Sequence, residues 1–168
     1  SCFVEILKKL WSAEDQPFNY ECDWYSVNGG ESSPTPDILP SIANAGVSED
    51  AKNMTARLCD WAFISTPSIE AVSPTIEDIA QKASSYGRSV RTAIFPFLIW
   101  GKSRAEAEER LASIISEKDE VATSNWLHDL TAGSGSFDAF TSDMLAASGG
   151  GVHMIGSADD VAEQLIDA

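Results

Sequence analysis

The 168-residue sequence predicts a parallel α/β fold, and three observations carry that expectation. From residue 38 onward, short apolar runs alternate with longer stretches of helical period. Glycine turns separate them at Gly46, Gly87, Gly101 and Gly156. Serines stand where helices should start, at Ser48, Ser73, Ser103 and Ser157. Strands that alternate with crossover helices must run parallel. About four strands can be counted, so an eight-stranded barrel of ~250 residues would be only half present. A complete, small doubly wound sheet is the competing architecture. The chain reads as a single domain over residues 1–168 with no internal repeat.

In chain order, Phe3, Ile6, Leu7, Leu10 and Trp11 repeat at helical spacing and predict a one-sided helix that ends in the polar run Ser12 to Gln16. Phe18-Asn19-Tyr20 and Trp24-Tyr25-Ser26-Val27 suggest short extended pieces around Asp23. Asn28-Gly29-Gly30 and Pro34, Pro36 and Pro40 mark a loop too short to be a domain linker. Ile38-Leu39 and Ser41 to Ala45 read as a buried strand, followed by a helix from about Glu49 to Leu58. Trp61 to Ile64 is a second strand. Ser73 with Pro74 predicts an N-cap and first helical position, with the helix closing near Tyr86-Gly87. Val90 to Trp100 is the third strand, and Ser103-x-x-Glu106 is a capping box opening a helix to about Lys118. Val121 to Ala147 is helical, interrupted by Gly133-Ser134-Gly135-Ser136. Gly149-Gly150-Gly151 precedes the apolar piece Val152 to Ile155, and Gly156-Ser157 with Asp160 starts a last helix.

Composition narrows the function. A net charge of −15 with 11 basic residues makes nucleic acid a poor partner, because phosphate backbones need clustered Lys and Arg. The longest apolar run, Ala93 to Trp100, is far short of the ~20 residues of a membrane helix, and no secretory signal is visible. Cys2, Cys22 and Cys59 form no C-x-x-C pair or metal spacing, and reduced thiols in a cytoplasmic protein are the simplest account.

The most informative turn is Ala45-Gly46-Val47-Ser48. A strand leading through glycine straight into a helix leaves backbone N–H groups unpaired at the positive end of the helix dipole. Gly46 permits the tight turn and Ser48 adds a hydroxyl, which together suit a phosphate. The plainer alternative is that Ser48 is an N-cap only. The Gly149–Gly151 run is either a mobile loop over a site or an ordinary flexible connection. His153 is expected on a barrel-mouth loop. His128 and the acidic runs at 106–109 and 117–120 are expected on solvated helix faces. The tryptophans and Met54 are expected in core or half-buried positions, Trp100 at a strand end among them. No histidine has metal-ligand company, and no catalytic serine elbow is present.

These pieces occur in an order that resembles the luciferase-like, flavin-dependent monooxygenases. The helix and hairpin up to Val27 are similar to those before that family's fifth strand. Pro34-x-Pro36, Leu39-Pro40-Ser41-Ile42, Ala45-Gly46-Val47-Ser48, Ala56 and Cys59-Asp60-Trp61-Ala62-Phe63 look like its most recognisable segment. Tyr86-Gly87-Arg88, Ser103-x-x-Glu106-Ala107, Ile155-Gly156-Ser157 and Asp160-Val161-Ala162 are also family-like, and the similarity covers nearly the whole chain. Closest in character are the two-component enzymes acting on pyrimidine rings, sulfonates, sulfones or chelating amines. The deazaflavin-dependent reductases are a more distant fit.

The resemblance implies an incomplete (β/α)8 TIM barrel, roughly its C-terminal half, with a helical insertion. It implies reduced FMN, supplied by a separate flavin reductase, that uses O2 to oxygenate a small organic substrate. Carried over by position, Gly46, Val47 and Ser48 would hold the FMN phosphate, and Gly149 to Gly151 would lie in a mobile segment. Ala147 and Ser148 stand where some members have an arginine. The first four strands and the last strand–helix unit would lie outside this chain. No catalytic residue is assigned, since those early strands supply most contacts to the flavin ring and substrate. A homo-oligomer or a missing barrel half would then cover the open edges. A non-catalytic relative of the fold is the alternative reading.

Overall fold

The computed structural model describes residues 1–133 and 138–168, so most of the Gly133–Ser136 interruption lies outside the described residues. The chain opens with helix α1 (Cys2–Trp11), a 3-10 turn (Ala13–Asp15) and an antiparallel hairpin of β1 (Phe18–Glu21) and β2 (Ser26–Gly30). The predicted amphipathic stripe is present in α1, but only Ile6 is buried and Phe3 remains exposed. Gln16 joins the two parts: its amide Nε2 donates to the Leu10 carbonyl at 2.8 Å and its Oε1 accepts from Ser32 N–H at 2.6 Å. Asn28-Gly29-Gly30, expected in a loop, belongs to β2 instead. Gly29 takes φ +61 and its N–H donates to the Asn19 side chain at 2.8 Å, while the pairing is irregular between Phe18 and Tyr20. Glycine here serves an irregular strand rather than breaking it. Trp24 and Tyr25, expected in an extended piece, form the exposed hairpin turn.

The centre of the fold is a parallel sheet in sequential order β3 (Ala43–Asn44), β4 (Trp61–Phe63), β5 (Arg91–Ala93). Helix α2 (Glu49–Leu58) connects the first pair and α3 (Ile69–Ser85) the second. Sequential order with right-handed crossovers puts both helices on the same face, as in a barrel wall. A doubly wound sheet instead reverses its order. The core between sheet and helices is Ala62, Ile64, Val72 and Ile79, with Val47, Ile76, Val90 and Ile94 packed around it. Ala56 and Ala83 are fully buried on α2 and α3, where small side chains let the two helices approach closely.

Asp60 and Arg88 lock this sheet. The Asp60 carboxylate accepts the Ile42 N–H at 2.9 Å, its own N–H donates to the Ile42 carbonyl at 2.8 Å, and its carbonyl accepts from Arg91 N–H at 3.1 Å. Arg88 donates to the carbonyls of Ala56 at 3.2 Å and Cys59 at 2.9 Å, which are orphan acceptors at the α2 C-terminus. Its guanidinium also lies 3.6 Å from Asp60. Helix α3 ends at Gly87, with φ +66. Gly87 N–H donates to Ser84 and Arg88 N–H to Ala83, both at 3.0 Å, closing the helix and delivering Arg88 to α2.

Two expectations change here. The segment before β3 is not a buried strand: only Ala43–Asn44 pairs, and Ile38 (86%) and Leu39 (58%) are exposed. The physical reason is that β3 is the edge of its sheet, with a partner on one side only. Helix α3 starts not at Pro74 but a turn earlier, where the Ser68 hydroxyl accepts the Ala71 N–H at 3.2 Å. Pro74 sits inside the helix and removes one backbone donor, a cost offset by the burial of Val72 and Ile79.

The predicted strand Val90 to Trp100 divides at Ile94-Phe95 into β5 and β6 (Pro96–Trp100). Its first part pairs with β4, and its second forms a separate parallel ladder with β7 (Val152–Gly156). Between them stand α4 (Arg104–Ser116), α5 (Glu120–Gly133) and α6 (Ser142–Ser148), and α7 (Ala158–Ile166) follows β7. The α4 capping box is modified. Ser103 accepts the Glu106 N–H at 3.3 Å, but Glu106 reaches Lys102 N–H at 2.8 Å instead of Ser103. At α7 the reciprocal box of Ser157 and Asp160 is complete. Among the described residues, no helix is long and apolar enough to cross a membrane.

Candidate functional site at the β3–α2 turn

Barrel folds place their sites at the C-terminal ends of the strands. Here those ends are the β3–α2 turn and the β4–α3 connection. The turn is built on Gly46. A Cβ at that position would stand 2.6 Å from the Ala51 Cβ, so only glycine lets the backbone fold against the first turn of α2. Asn44 fixes the same contact from the strand, its amide Nδ2 donating to Thr55 Oγ1 at 2.8 Å and to the Ala51 carbonyl at 3.4 Å. Ser48 is the N-cap of α2, and its Oγ accepts the Ala51 N–H at 3.3 Å. That use does not exhaust the hydroxyl, which still has its own proton to donate. The backbone N–H groups at the start of α2 have no intrahelical acceptor.

Val47 turns inward onto the core and lines a cleft of about 170 Å³ with Ile64, Ser65, Thr66, Pro67 and Val72. Ala71 and Thr75 of α3 complete that wall. Thr66 is buried and donates to the Ser68 carbonyl at 2.7 Å, which shapes the approach to α3. Val47, just before the α2 cap, and the start of α3 therefore border one small cleft of mixed polar and apolar lining. Sequence reasoning found Gly46, Val47 and Ser48 but missed Asn44, Thr66 and Ser68. The available signal was Ser68 three residues before Ala71 and just after Pro67, which reads as an N-cap as well as Ser73 does.

Charge around the turn is arranged so that the first acidic residue is neutralised. Glu49 follows Ser48 and pairs with Lys52 at 3.1 Å and Lys82 at 3.0 Å, and both lysines also contact Asp78. Hydrogen bonds from Lys82 and Lys52 hold the Glu49 carboxyl below its ordinary range, and those from Lys52 and Lys82 do the same for Asp78. The reciprocal contacts to Asp78 and Glu49 push both lysines up. Depressed carboxyl pKa values stabilise the fold fully above the unfolded carboxylate range, and that stability is lost as pH falls through the folded values. Raised lysine values act oppositely, losing stability only as pH climbs beyond their ordinary value. The contribution of these ion pairs to the melting temperature should therefore be flat near neutrality and be lost below about pH 4. Asp78→Asn should lower it at pH 7 and flatten that acid slope, as thermal melts across pH will show.

The remaining candidates lie elsewhere. Gly149 is the left-handed C-cap of α6, Gly150 has φ +96, and Gly151 packs against Phe95. Gly150 and Gly151 are buried, and Ser148 Oγ donates to the Gly151 carbonyl at 2.9 Å, so this run is a packed corner rather than a loose connection. His153 lies within strand β7, not on a mouth loop, because Val152, Met154 and Gly156 take the buried alternate positions. Its Nε2 is buried without a hydrogen-bond partner beside Ser68, Ile69 and Glu70 in a cleft of about 310 Å³. Burial pushes the imidazole pKa down against a bond to the Met144 backbone. His128 is exposed on α5. The acidic runs are solvated as expected, with Glu106 on Arg110 at 2.7 Å and Glu108 on Arg104 at 3.4 Å. Lys118 is the exception, largely covered between Glu120 and Asp143. Trp24, Trp100 and Trp126 are exposed, against the expected burial, and Arg110 stacks 5.6 Å from the Trp100 ring. No group of three or more metal-ligating side chains occurs among the described residues.

Comparison with known proteins agrees with the sequence resemblance. A family profile described as luciferase-like monooxygenase matches residues 3–168. An FMNH(2)-dependent dimethylsulfone monooxygenase of Pseudomonas fluorescens (strain Pf0-1) is 32% identical over 120 residues, covering 71% of this chain and 32% of the relative. Pyrimidine monooxygenase RutA of Shigella flexneri is 25% identical over 137 residues, covering 72% of this chain and 35% of the relative. Among solved structures, DmoA from Hyphomicrobium sulfonivorans superposes with a TM-score of 0.73 at 20% identity, covering 98% of this chain and 46% of that one. Riboflavin lyase (RcaE) gives 0.75 at 16% identity, with 98% and 48% covered. The chain thus spans about a third of the length of these curated relatives.

Proposed function

We infer function from one premise: this chain belongs to the luciferase-like monooxygenase family. Its role is to hold the phosphate end of FMN in a flavin-dependent monooxygenase that oxygenates a small organic substrate. The observation that carries this reading is the Gly46–Ser48 turn. It combines a close approach that a Cβ would forbid, a serine hydroxyl and a helix N-terminus, beside a small cleft of mixed polar and apolar lining at the C-terminal ends of β3 and β4. When bound, reduced FMN supplies the electrons for O2 chemistry, and a separate flavin reductase supplies it in that state. The α2 backbone N–H groups and Ser48 Oγ bind the phosphate, with Glu49 held off by Lys52 and Lys82. Val47, Ile64 and Val72 form the apolar side of the cleft below. FMN is favoured over a deazaflavin because the 32%-identical relative is itself named for FMNH(2).

The unpaired edge of β3, with Ile38 and Leu39 exposed beside it, supports the view that further strands of a barrel, or a second copy, cover this side. Fluorescence quenching of FMN by the purified chain tests the site. Saturable binding of FMN at least ~10-fold tighter than riboflavin is expected, a difference of about 1.4 kcal/mol due to the phosphate. Equal affinity for FMN and riboflavin, or none for either by a folded chain, would remove the phosphate assignment.

A further inference from the structure

We propose that Cys2 and Cys22 form a redox modification site, a dithiol that hydrogen peroxide converts to an intramolecular disulfide joining α1 to the β1–β2 turn. Cys2 is the first residue of α1 and Cys22 directly follows β1. Both are partly exposed, and they line one cleft of about 560 Å³ together with Phe3, Asp23, Trp24 and Tyr25. Across that shared cleft each thiol perturbs the ionisation of the other, so the two side chains are close neighbours. Cys59, by contrast, is fully buried between α2 and β4, where burial pushes its thiol up and keeps peroxide out.

Both walls of the cleft are held in place. On one side the Cys22 N–H donates to the Tyr25 carbonyl at 2.9 Å, closing the turn, and Phe3 packs 6.3 Å from the Tyr25 ring. On the other, Tyr20 donates to Glu5, which accepts from Arg57 at 2.7 Å. The two thiols are chemically unequal. Desolvation pushes Cys22 upward, but the Cys2 thiol and the Trp24 and Tyr25 backbone N–H groups outweigh it and stabilise the thiolate. Cys2 is pushed up, first by its bond to Cys22. Cys22, held in the turn by its N–H bond to the Tyr25 carbonyl, is assigned as the attacking sulfur and Cys2 as the resolving one.

The reaction balances in two steps. The Cys22 thiolate attacks one oxygen of hydrogen peroxide. The O–O bond breaks, hydroxide leaves and Cys22 becomes a sulfenic acid. The Cys2 sulfur then attacks Cys22, forming the S–S bond and breaking S–O. The departing hydroxide takes the Cys2 proton as water. Two thiols are oxidised by two electrons in all, and one peroxide is reduced to two waters.

The test treats the reduced full chain with hydrogen peroxide and follows free thiols under denaturing conditions and intact mass. The expected result is loss of two of its three thiols, a mass decrease of about 2 Da, and a Cys2–Cys22 peptide after digestion. Cys2→Ser should trap a dimedone-reactive sulfenic acid at Cys22, and Cys22→Ser should slow thiol loss at least ~10-fold. Circular dichroism confirms that each variant folds. Oxygen adducts of about 16 Da without the linked peptide, a disulfide between two chains, or wild-type rates in Cys22→Ser would overturn the assignment.

Discussion

Exchanging Ser48 for alanine is expected to weaken FMN binding by about 10-fold, or 1.4 kcal/mol, and to leave riboflavin binding unchanged. The riboflavin arm isolates the phosphate, since the two ligands share the ring and differ only there. Alanine removes the one hydroxyl at the turn while the backbone N–H groups of α2 remain, so the loss should be partial. It also removes the N-cap bond to Ala51, which costs about 1 kcal/mol of stability. A second variant separates the two effects. Ser48→Asp restores a good cap but places a negative charge against the phosphate. It should melt near wild type and bind FMN more weakly than Ser48→Ala does. If Ser48→Ala binds FMN as wild type does, Ser48 is a cap and nothing more. If it loses riboflavin equally, the cleft rather than the phosphate contact has been damaged.

Much of this site was legible because its signals are local. Gly46 before Ser48, with Glu49 opening a helix, specifies a turn and a cap within four residues, and α2 spans the predicted Glu49–Leu58. What sequence reasoning missed depends on partners distant in the chain. Asp60 and Arg88 belong to family-like motifs, yet their work is structural. Asp60 binds the backbone of Ile42, and Arg88 caps α2 through Ala56 and Cys59. Nothing near either residue in sequence announces those acceptors. Pro74 misled for a related reason. It reads as a first helical position, but the Ser68 cap and the burial of Val72 extend the helix a turn earlier and absorb the proline. The division of Val90–Trp100 was equally hidden. A single apolar run cannot show that its first half pairs with β4 and its second with β7.

The apolar pattern also overstated burial wherever an element lies at an edge. Leu39 and Trp100 belong to segments that look like core strands, and both side chains are exposed. Apolar patterning reports which face a chain would bury and leaves open whether anything covers it. For β3, no other strand among the described residues pairs with its outer edge. For Trp100 part of the cover comes from its own chain, through the Arg110 guanidinium.

Replacing Gly151 with alanine should be strongly destabilising, costing about 2–4 kcal/mol. The added Cβ would fall 2.5 Å and 2.7 Å from two carbons of the Phe95 ring and 2.7 Å from the Phe95 carbonyl oxygen. A ring can turn, although this one is stacked 5.7 Å from Phe63. The carbonyl cannot move freely, because it accepts the Val152 N–H at 3.2 Å at the start of the β6–β7 ladder. Relief therefore means separating β7 from its partner where pairing begins, and breaking the bond from Ser148 Oγ to the Gly151 carbonyl. Gly149→Ala is the control. Its φ of +58 penalises alanine, but the nearest contact is 3.8 Å away, so about 1–2 kcal/mol is expected. Thermal melts should then show a fall of roughly 4–16 °C for Gly151→Ala and a clearly smaller one for Gly149→Ala. Had the three glycines formed only a flexible connection, both substitutions would be nearly silent. Equal, small shifts would mean that β7 does not approach Phe95 as closely as this corner requires.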